Sequence, residues 1–210
     1  MRKIVFSNLP MKKELNKLKY RVDGNSTIEY DDEIIFPVNS VLARTMQKGE
    51  KIKVVLLSKN DIEGNSSINA GIFQKELNDI NRNIGAEIEY VTIATPFEET
   101  RDIHEKLLRD MIGKLEEKTE IIGDITYGPK PLPIIMFSVM SFAEKFFNCK
   151  INNIVYGKVD FVKDKNNILN PTNPVLYDLT PLYYLNSITN SIACKTSEEA
   201  IKALDTLLTL

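Results

Sequence analysis

The stretch Asp124 to Phe137, DITYGPKPLPIIMF, gathers the residues of this 210-residue chain best suited to holding an anion. Thr126 supplies a hydroxyl at the end of an apolar, β-branched run. Gly128 permits a backbone conformation, or a close approach, that a side chain forbids. Lys130 sets a cation at the mouth of the helix that follows, where the unpaired amides already carry roughly half a positive charge. Pro131 and Pro133 stiffen the first turn but remove two N–H donors from it. The joint therefore reads as a rigid platform carrying a lysine rather than a full nest of amides. The same residues also suit a plain, tight strand–helix joint.

Other chemistry is sparse. His104, the single histidine, sits among charges on an amphipathic helical pattern and reads as solvent-facing. With only Cys149 and Cys194 beside it, there is no zinc set and no disulfide framework, and the cysteines read as small buried hydrophobes. The acidic run Glu29–Glu33, EYDDE, reads as a solvated loop rather than a metal site. No G-x-G-x-x-G follows the first apolar run, and no G-x-x-x-x-G-K-[ST] occurs. Dinucleotide-binding and P-loop chemistry lose their main support.

The elements that must position the joint follow from periodicity. Lys3–Phe6 (KIVF) and Lys51–Ser58 read as buried strands, and EIEYVTIA, TEIIGDIT, INNIVYGKVDF and PVLYDLT as further strands. Helices are expected over FPVNSVLARTMQKG, ending at Gly49, and INAGIFQKELNDINRNIG, ending at Gly85. Behind TPFE, Thr95, Pro96 and Glu98 form a capping box for a helix carrying Ile103, Leu107, Met111 and Leu115. LPIIMFSVMSFAEKFF is a further helix; Thr180–Pro181 opens another, and a second capping box, Thr196 to Glu199, opens the last. Strands alternating with helices give an α/β fold: a Rossmann-like, mostly parallel sheet, helices on both faces and a late edge hairpin. Ligands of such sheets bind beyond the carboxyl ends of the strands. The loops to inspect are then SNLP (Ser7, Asn8, Leu9), SKND (Ser58, Lys59), ATP, and TYGPK.

The helix Leu132–Phe147 is apolar nearly all round, which calls for a second buried surface. A dimer partner reached through residues such as Phe137 and Met140 is the simplest candidate, a larger internal core the other. Hydrophobic residues make up 43% of the chain, enough for a sizeable core, and the net charge of -2 argues against a duplex nucleic-acid footprint. No signal peptide is visible at MRKIVFSNLP, and no run nears the roughly 18 apolar residues that span a bilayer. A cytoplasmic, reducing location is expected. The chain stops inside an apolar helical pattern, DTLLTL, as a truncated piece or a docking end would.

In order and spacing, DITYGPKPLPIIMFSVMSFAE, INNIVYGKVDF and VLYDLTPLYYLNSI together resemble the CRISPR-associated Rossmann-fold (CARF) domains over about Arg2 to Ile192. Tyr127 stands at that family's usual histidine, and Pro129–Lys130 at its usual Phe-Arg. The resemblance implies a domain over residues 1–194, with 195–210 as a C-terminal helix connecting to an effector absent from this sequence. It implies a homodimeric sensor of cyclic oligoadenylate, cyclic tetra-adenylate or hexa-adenylate, in type III CRISPR antiviral defence. The ligand would lie across the two-fold axis, with no other cofactor, no metal and no membrane. Ligand contacts would fall on Ser7, Asn8, Leu9, Ser58, Lys59, Thr126, Tyr127, Gly128, Pro129, Lys130 and Pro131. No effector is visible: Arg101 and His104 stand too close for the usual ribonuclease motif. The alternative is a ring nuclease that cleaves the same ligand and switches the response off, using Lys130, Ser7 and Ser58 for in-line positioning. A sugar- or nucleotide-metabolising Rossmann enzyme is a third reading, disfavoured by the missing glycine fingerprints.

Overall fold

The structure, a computed structural model, describes residues 2–191 and 194–208. In chain order the elements are β1 (Arg2–Asn8), β2 (Arg21–Asp23), α1 (Val38–Thr45), β3 (Lys51–Lys59), α2 (Asn65–Asn81), β4 (Glu87–Thr95), α3 (Arg101–Ile112), β5 (Glu120–Asp124), α4 (Leu132–Phe147), β6 (Lys150–Lys163), β7 (Leu169–Asp178), α5 (Thr180–Ser191) and α6 (Ser197–Leu208). They build one seven-stranded sheet in the order β2-β7-β6-β5-β1-β3-β4. β1, β3, β4, β5 and β6 run parallel, and β6 and β7 form the antiparallel hairpin.

Period-two alternation sorts the side chains of the central strands between two cores. Ile4 and Phe6 of β1 and Val55 and Leu57 of β3 meet Leu107 and Met111 of α3 and Met136 and Met140 of α4. Val5, Ile52, Val54 and Leu56 meet Val41 and Leu42 of α1 and Phe73 and Leu77 of α2. Helices thus cover both faces. The handedness of the crossovers dictates the split. The net step from β1 to β3, made by way of β2 at the far edge, and the step from β3 to β4 run the same way across the sheet, so α1 and α2 share a face. The chain then returns past β1 to β5 and continues to β6, so α3 and α4 take the opposite face.

Three expectations change. β7 begins at Leu169, in the stretch read as a polar turn, and the unforeseen three-residue β2 pairs with it at Val175–Tyr177. The hairpin therefore lies beside the sheet's last strand at its base, and only its distal half is an edge. The Thr95–Glu98 capping box does not form: Thr95 is the last residue of β4, and α3 starts at Arg101 behind Thr100. At α6, by contrast, the amide of Glu199 donates to Thr196 Oγ1 (3.2 Å) and the Glu199 carboxylate accepts from the amide of Lys195 (2.9 Å). Residues 209–210 of the expected final helix lie outside the described residues.

α4 spans the residues expected of it, and its second apolar side is largely internal. Met140 is fully buried and packs onto β5 where Gly123 leaves room: a Cβ there would lie 2.2 Å from Met140 Cε. Phe137 meets Tyr183 of α5 edge-to-face at 5.8 Å. Only Ile134 and Phe146 of its large apolar side chains stand exposed. Met140 is thus a core residue rather than part of an outer face. Cys149 is buried as expected, and Cys194 only half-buried.

Candidate functional site

β3 and β5 flank β1 in parallel; α1 leads into β3 on one face of the sheet and α4 leads from β5 to β6 on the other, so a crevice opens between the carboxyl ends of β1 and β5. That is where ligands of open α/β sheets bind. Its floor is a hydrogen-bonded chain across three strands. Ser7 and Asp124 are register partners, and Ser7 Oγ donates to Asp124 Oδ2 at 2.9 Å. Asp124 Oδ1 accepts from the amide of Thr126 at 2.9 Å, an Asx turn that bends the chain out of β5. Thr126 Oγ1 in turn accepts from the amide of Gly157 in β6 at 2.9 Å.

Asp124 is fully buried. Burial pushes its carboxyl above the usual carboxylate range, while hydrogen bonds from Thr126 and Ser7 pull it down. Asp124 was not among the residues singled out from sequence. Its signal is an aspartate at the last position of an apolar strand, two residues before a turn amide.

Above this floor the 126–130 turn sits directly on Asn8. Gly128 has φ +107, and a Cβ there would lie 2.0 Å from Asn8 Nδ2 and 2.9 Å from Leu132 Cδ2. Glycine is therefore required twice, for conformation and for space. Asn8 is 3% exposed, and its Nδ2 has no hydrogen-bond partner among the described residues. A buried donor left unpaired costs about 1–3 kcal/mol, and here the Gly128 turn covers it. Lys130 is exposed, Pro129 and Pro131 are half-buried, and the amide of Leu132 donates to the Pro129 carbonyl at 3.0 Å, tightening the start of α4.

The other expected residues sort differently. Leu9 is a core residue, and its amide pairs with Leu57. Ser58 Oγ donates to Ser66 Oγ of α2 at 3.0 Å. Lys59 is 7% exposed; its ammonium pairs with Glu99 at 2.5 Å and donates to the Pro96 carbonyl. Glu99 also holds His104, at 2.6 Å, so this histidine is an anchored group rather than a free solvent-facing one. Desolvation raises the Glu99 carboxyl, but the bonds from Lys59 and His104 prevail and hold it below its ordinary value. Ser58 and Lys59 thus brace α2 and the loop after β4 and are not bonded to the 126–130 turn. In the acidic run, Glu29 accepts from the amide of Val22 at 2.8 Å, while Asp31, Asp32 and Glu33 are exposed.

A cavity of about 190 Å³ opens beside the turn, between the loop after β1 and the hairpin, lined by Lys12, Tyr20, Tyr127, Tyr156, Lys158 and Phe161 among others. Burial, with the Asp124 charge next, pushes the Tyr20 hydroxyl up to about 12, and the Tyr127 hydroxyl also rises, mainly through burial. Both stay neutral and polar at physiological pH. Apart from Thr126 and Tyr127, the lining was not foreseen; its only sequence signal is the basic run after β1. Larger cavities lie elsewhere, two of them against the sheet's amino ends and along α2. One of about 370 Å³ sits at the amino ends of β1, β3 and β4, the wrong end for ligands of a parallel sheet. One of about 900 Å³ lies along α2 and the loop before α1. Among the described residues no group of acidic, histidine and cysteine side chains is arranged to hold a metal ion, and no helix is long and apolar enough to cross a membrane.

No protein-family model matches the chain. An 80-residue stretch, 38% of the chain, is 28% identical to a CRISPR-associated protein of Methanocaldococcus jannaschii. The chain spans 12% of the length of that relative.

Proposed function

We propose that this chain is the sensor module of a CRISPR antiviral system, and that it binds a cyclic oligoadenylate across the two-fold axis of a homodimer. The observation that carries the reading is the crevice between β1 and β5. A buried, unpartnered Asn8 amide lies under a glycine turn there, and that turn carries an exposed cation, Lys130. A phosphodiester ring supplies an anionic acceptor for the exposed Lys130, and the exposed backbone of Gly128 puts no side chain in its way. The partial match to a CRISPR-associated protein supports the biological setting. The resemblance of the 124–144 stretch to CARF domains supports the ligand class.

Ring cleavage draws less support. Of the three residues suited to it, Ser7 and Ser58 are buried and bonded to protein, leaving Lys130 alone at the surface. The test is calorimetric titration of the protein with linear and cyclic adenylates of each size, then chromatography of the incubated ligand. The expected result is one cyclic ring bound per two chains, recovered intact. Equal affinity for linear and cyclic forms, or no heat with any of them, refutes the proposal. Conversion of the ring to linear products establishes the nuclease instead.

A further inference from the structure

The cavity between the loop after β1 and the β6–β7 hairpin is built from separate parts of the chain, and its construction favours one kind of occupant. Tyr156 and Phe161 are partly exposed at 38% and 46%, so both offer aromatic surface to a ligand. Tyr156 is steadied from behind by Tyr177, stacked at 6.3 Å with 21° between the rings. Lys12 reaches across the mouth, with Nζ 5.7 Å from the centre of the Phe161 ring. The other lining lysine, Lys158, is paired with Asp160 at 3.0 Å, whereas no carboxylate pairs with Lys12 among the described residues.

Lys12 does not sit on a loose loop. Asn69 of α2 is 1% exposed, and its Nδ2 donates to the carbonyls of Pro10 (2.8 Å) and Lys12 (3.0 Å). Asn65, one helical turn earlier, donates to the carbonyl of Met11 at 3.1 Å. Successive carbonyls of the loop are therefore pinned by side chains of a rigid helix. A cation held in place loses less freedom on meeting its ligand. At about 190 Å³ the cavity falls below the usual range for a whole small-molecule ligand, roughly 300–1,000 Å³. It suits part of a ligand, a flat ring with an adjoining anion.

Building on the receptor reading above, we infer that this cavity is a base subsite: one purine of the bound oligonucleotide stacks on Tyr156, its phosphate meets Lys12, and Asn69 is a positioning residue that holds Lys12 there. Base–aromatic stacking and a charge-assisted contact are the two terms such a site needs.

The test is titration calorimetry with cyclic tetra-adenylate and cyclic hexa-adenylate on the wild type and on Tyr156→Ala, Tyr156→Phe, Lys12→Ala, Asn69→Ala and the Lys12→Ala/Asn69→Ala double variant. Tyr156→Ala is expected to lose roughly ten- to a hundredfold in affinity, and Tyr156→Phe to keep most of it, since the ring and not the hydroxyl stacks. Lys12→Ala is expected to weaken binding and to lower the slope of log affinity against log salt by about one. Asn69→Ala is expected to weaken binding as Lys12→Ala does, with no further loss in the double variant, a coupling that general loosening would not produce. Lys12 and Tyr156 are exposed, so their variants remain informative if Asn69→Ala folds poorly. If the wild type binds no cyclic adenylate, the receptor reading falls and takes the subsite with it. If the wild type binds, Lys130→Ala weakens it, and Tyr156→Ala and Lys12→Ala bind as tightly as wild type at every salt concentration, the subsite alone is overturned.

Discussion

Gly128→Ala tests whether the turn over Asn8 is as tight as the geometry requires. At φ +107 an L-residue is strained whatever space surrounds it, and such positions cost about 1–3 kcal/mol. The added methyl would also lie 2.0 Å from Asn8 Nδ2 and 2.8 Å from Asn8 Cγ. Relieving that overlap costs about 1–3 kcal/mol more, the usual range for overpacking. The expected loss of stability is therefore about 2–6 kcal/mol. The two contributions separate in a double-mutant cycle. In Asn8→Ala the amide is gone, so Gly128→Ala made in that background escapes the overlap with it, and about 1–3 kcal/mol of the cost should vanish. The assay is urea denaturation of all four proteins, read as the midpoint at constant slope. A Gly128→Ala variant within about 0.5 kcal/mol of wild type, the level of an unremarkable surface change, would refute both the strain and the contact. Additive single variants would refute the contact alone.

Lys130→Ala should weaken binding of cyclic tetra-adenylate or hexa-adenylate by about 1.5–3 kcal/mol per site, the worth of a charge-assisted bond, and leave the unfolding midpoint unchanged. Unaltered affinity in low and high salt would make the joint a tight turn and nothing more. The raised carboxyl of Asp124 predicts a pH signature. Because the folded state binds this proton more tightly than the unfolded chain, the contribution is complete below the unfolded pKa of about 3.9 and is lost as pH rises through the higher folded value. Stability of Asp124→Asn relative to wild type should therefore increase as pH climbs out of the acid range; a difference that is flat across that range contradicts the assignment. Lys59→Met removes one of the two partners that together outweigh desolvation at Glu99, so the Glu99 carboxyl should titrate higher than in wild type, as followed by carboxylate NMR. No upward movement would mean that the pair is not formed in solution.

Much of the architecture was legible because it depends on local pattern. α4 occupies Leu132–Phe147 as read, since prolines start it, an apolar run sustains it, and Asn148 closes it in the left-handed region at φ 51. The misreadings fall where a capping side chain or a distant segment decides. The helix over FPVNSVLARTMQKG stops at Thr45, ahead of Gly49, and α2 begins at Asn65, in a polar stretch that resembles a loop until Asp61 is seen to accept from the amides of Asn65 and Ser66. Thr95 looks like a helix cap, yet register with Lys59 draws it into the sheet. Pro171 and Pro174 argue against a strand, but among the described residues no strand is hydrogen-bonded to the outer side of β7 at these positions, so a missing N–H costs little there.

The candidate site divides in the same way. Composition, periodicity and the glycine–proline joint were enough to place a parallel α/β sheet and a rigid, lysine-bearing turn at the end of one strand, because those features are written in neighbouring residues. Burial was not written there. Ser7, Asn8, Ser58 and Lys59 look like polar loop residues, but they end strands, and Ser7 and Lys59 are bonded to Asp124 and Glu99, far away in the chain. Asp124 and the pocket of Lys12, Tyr20, Tyr156 and Phe161 emerged only when crossovers brought β1, β5 and β6 side by side. A polar side chain's partner is chosen by sheet order, and sheet order is a property of the whole chain.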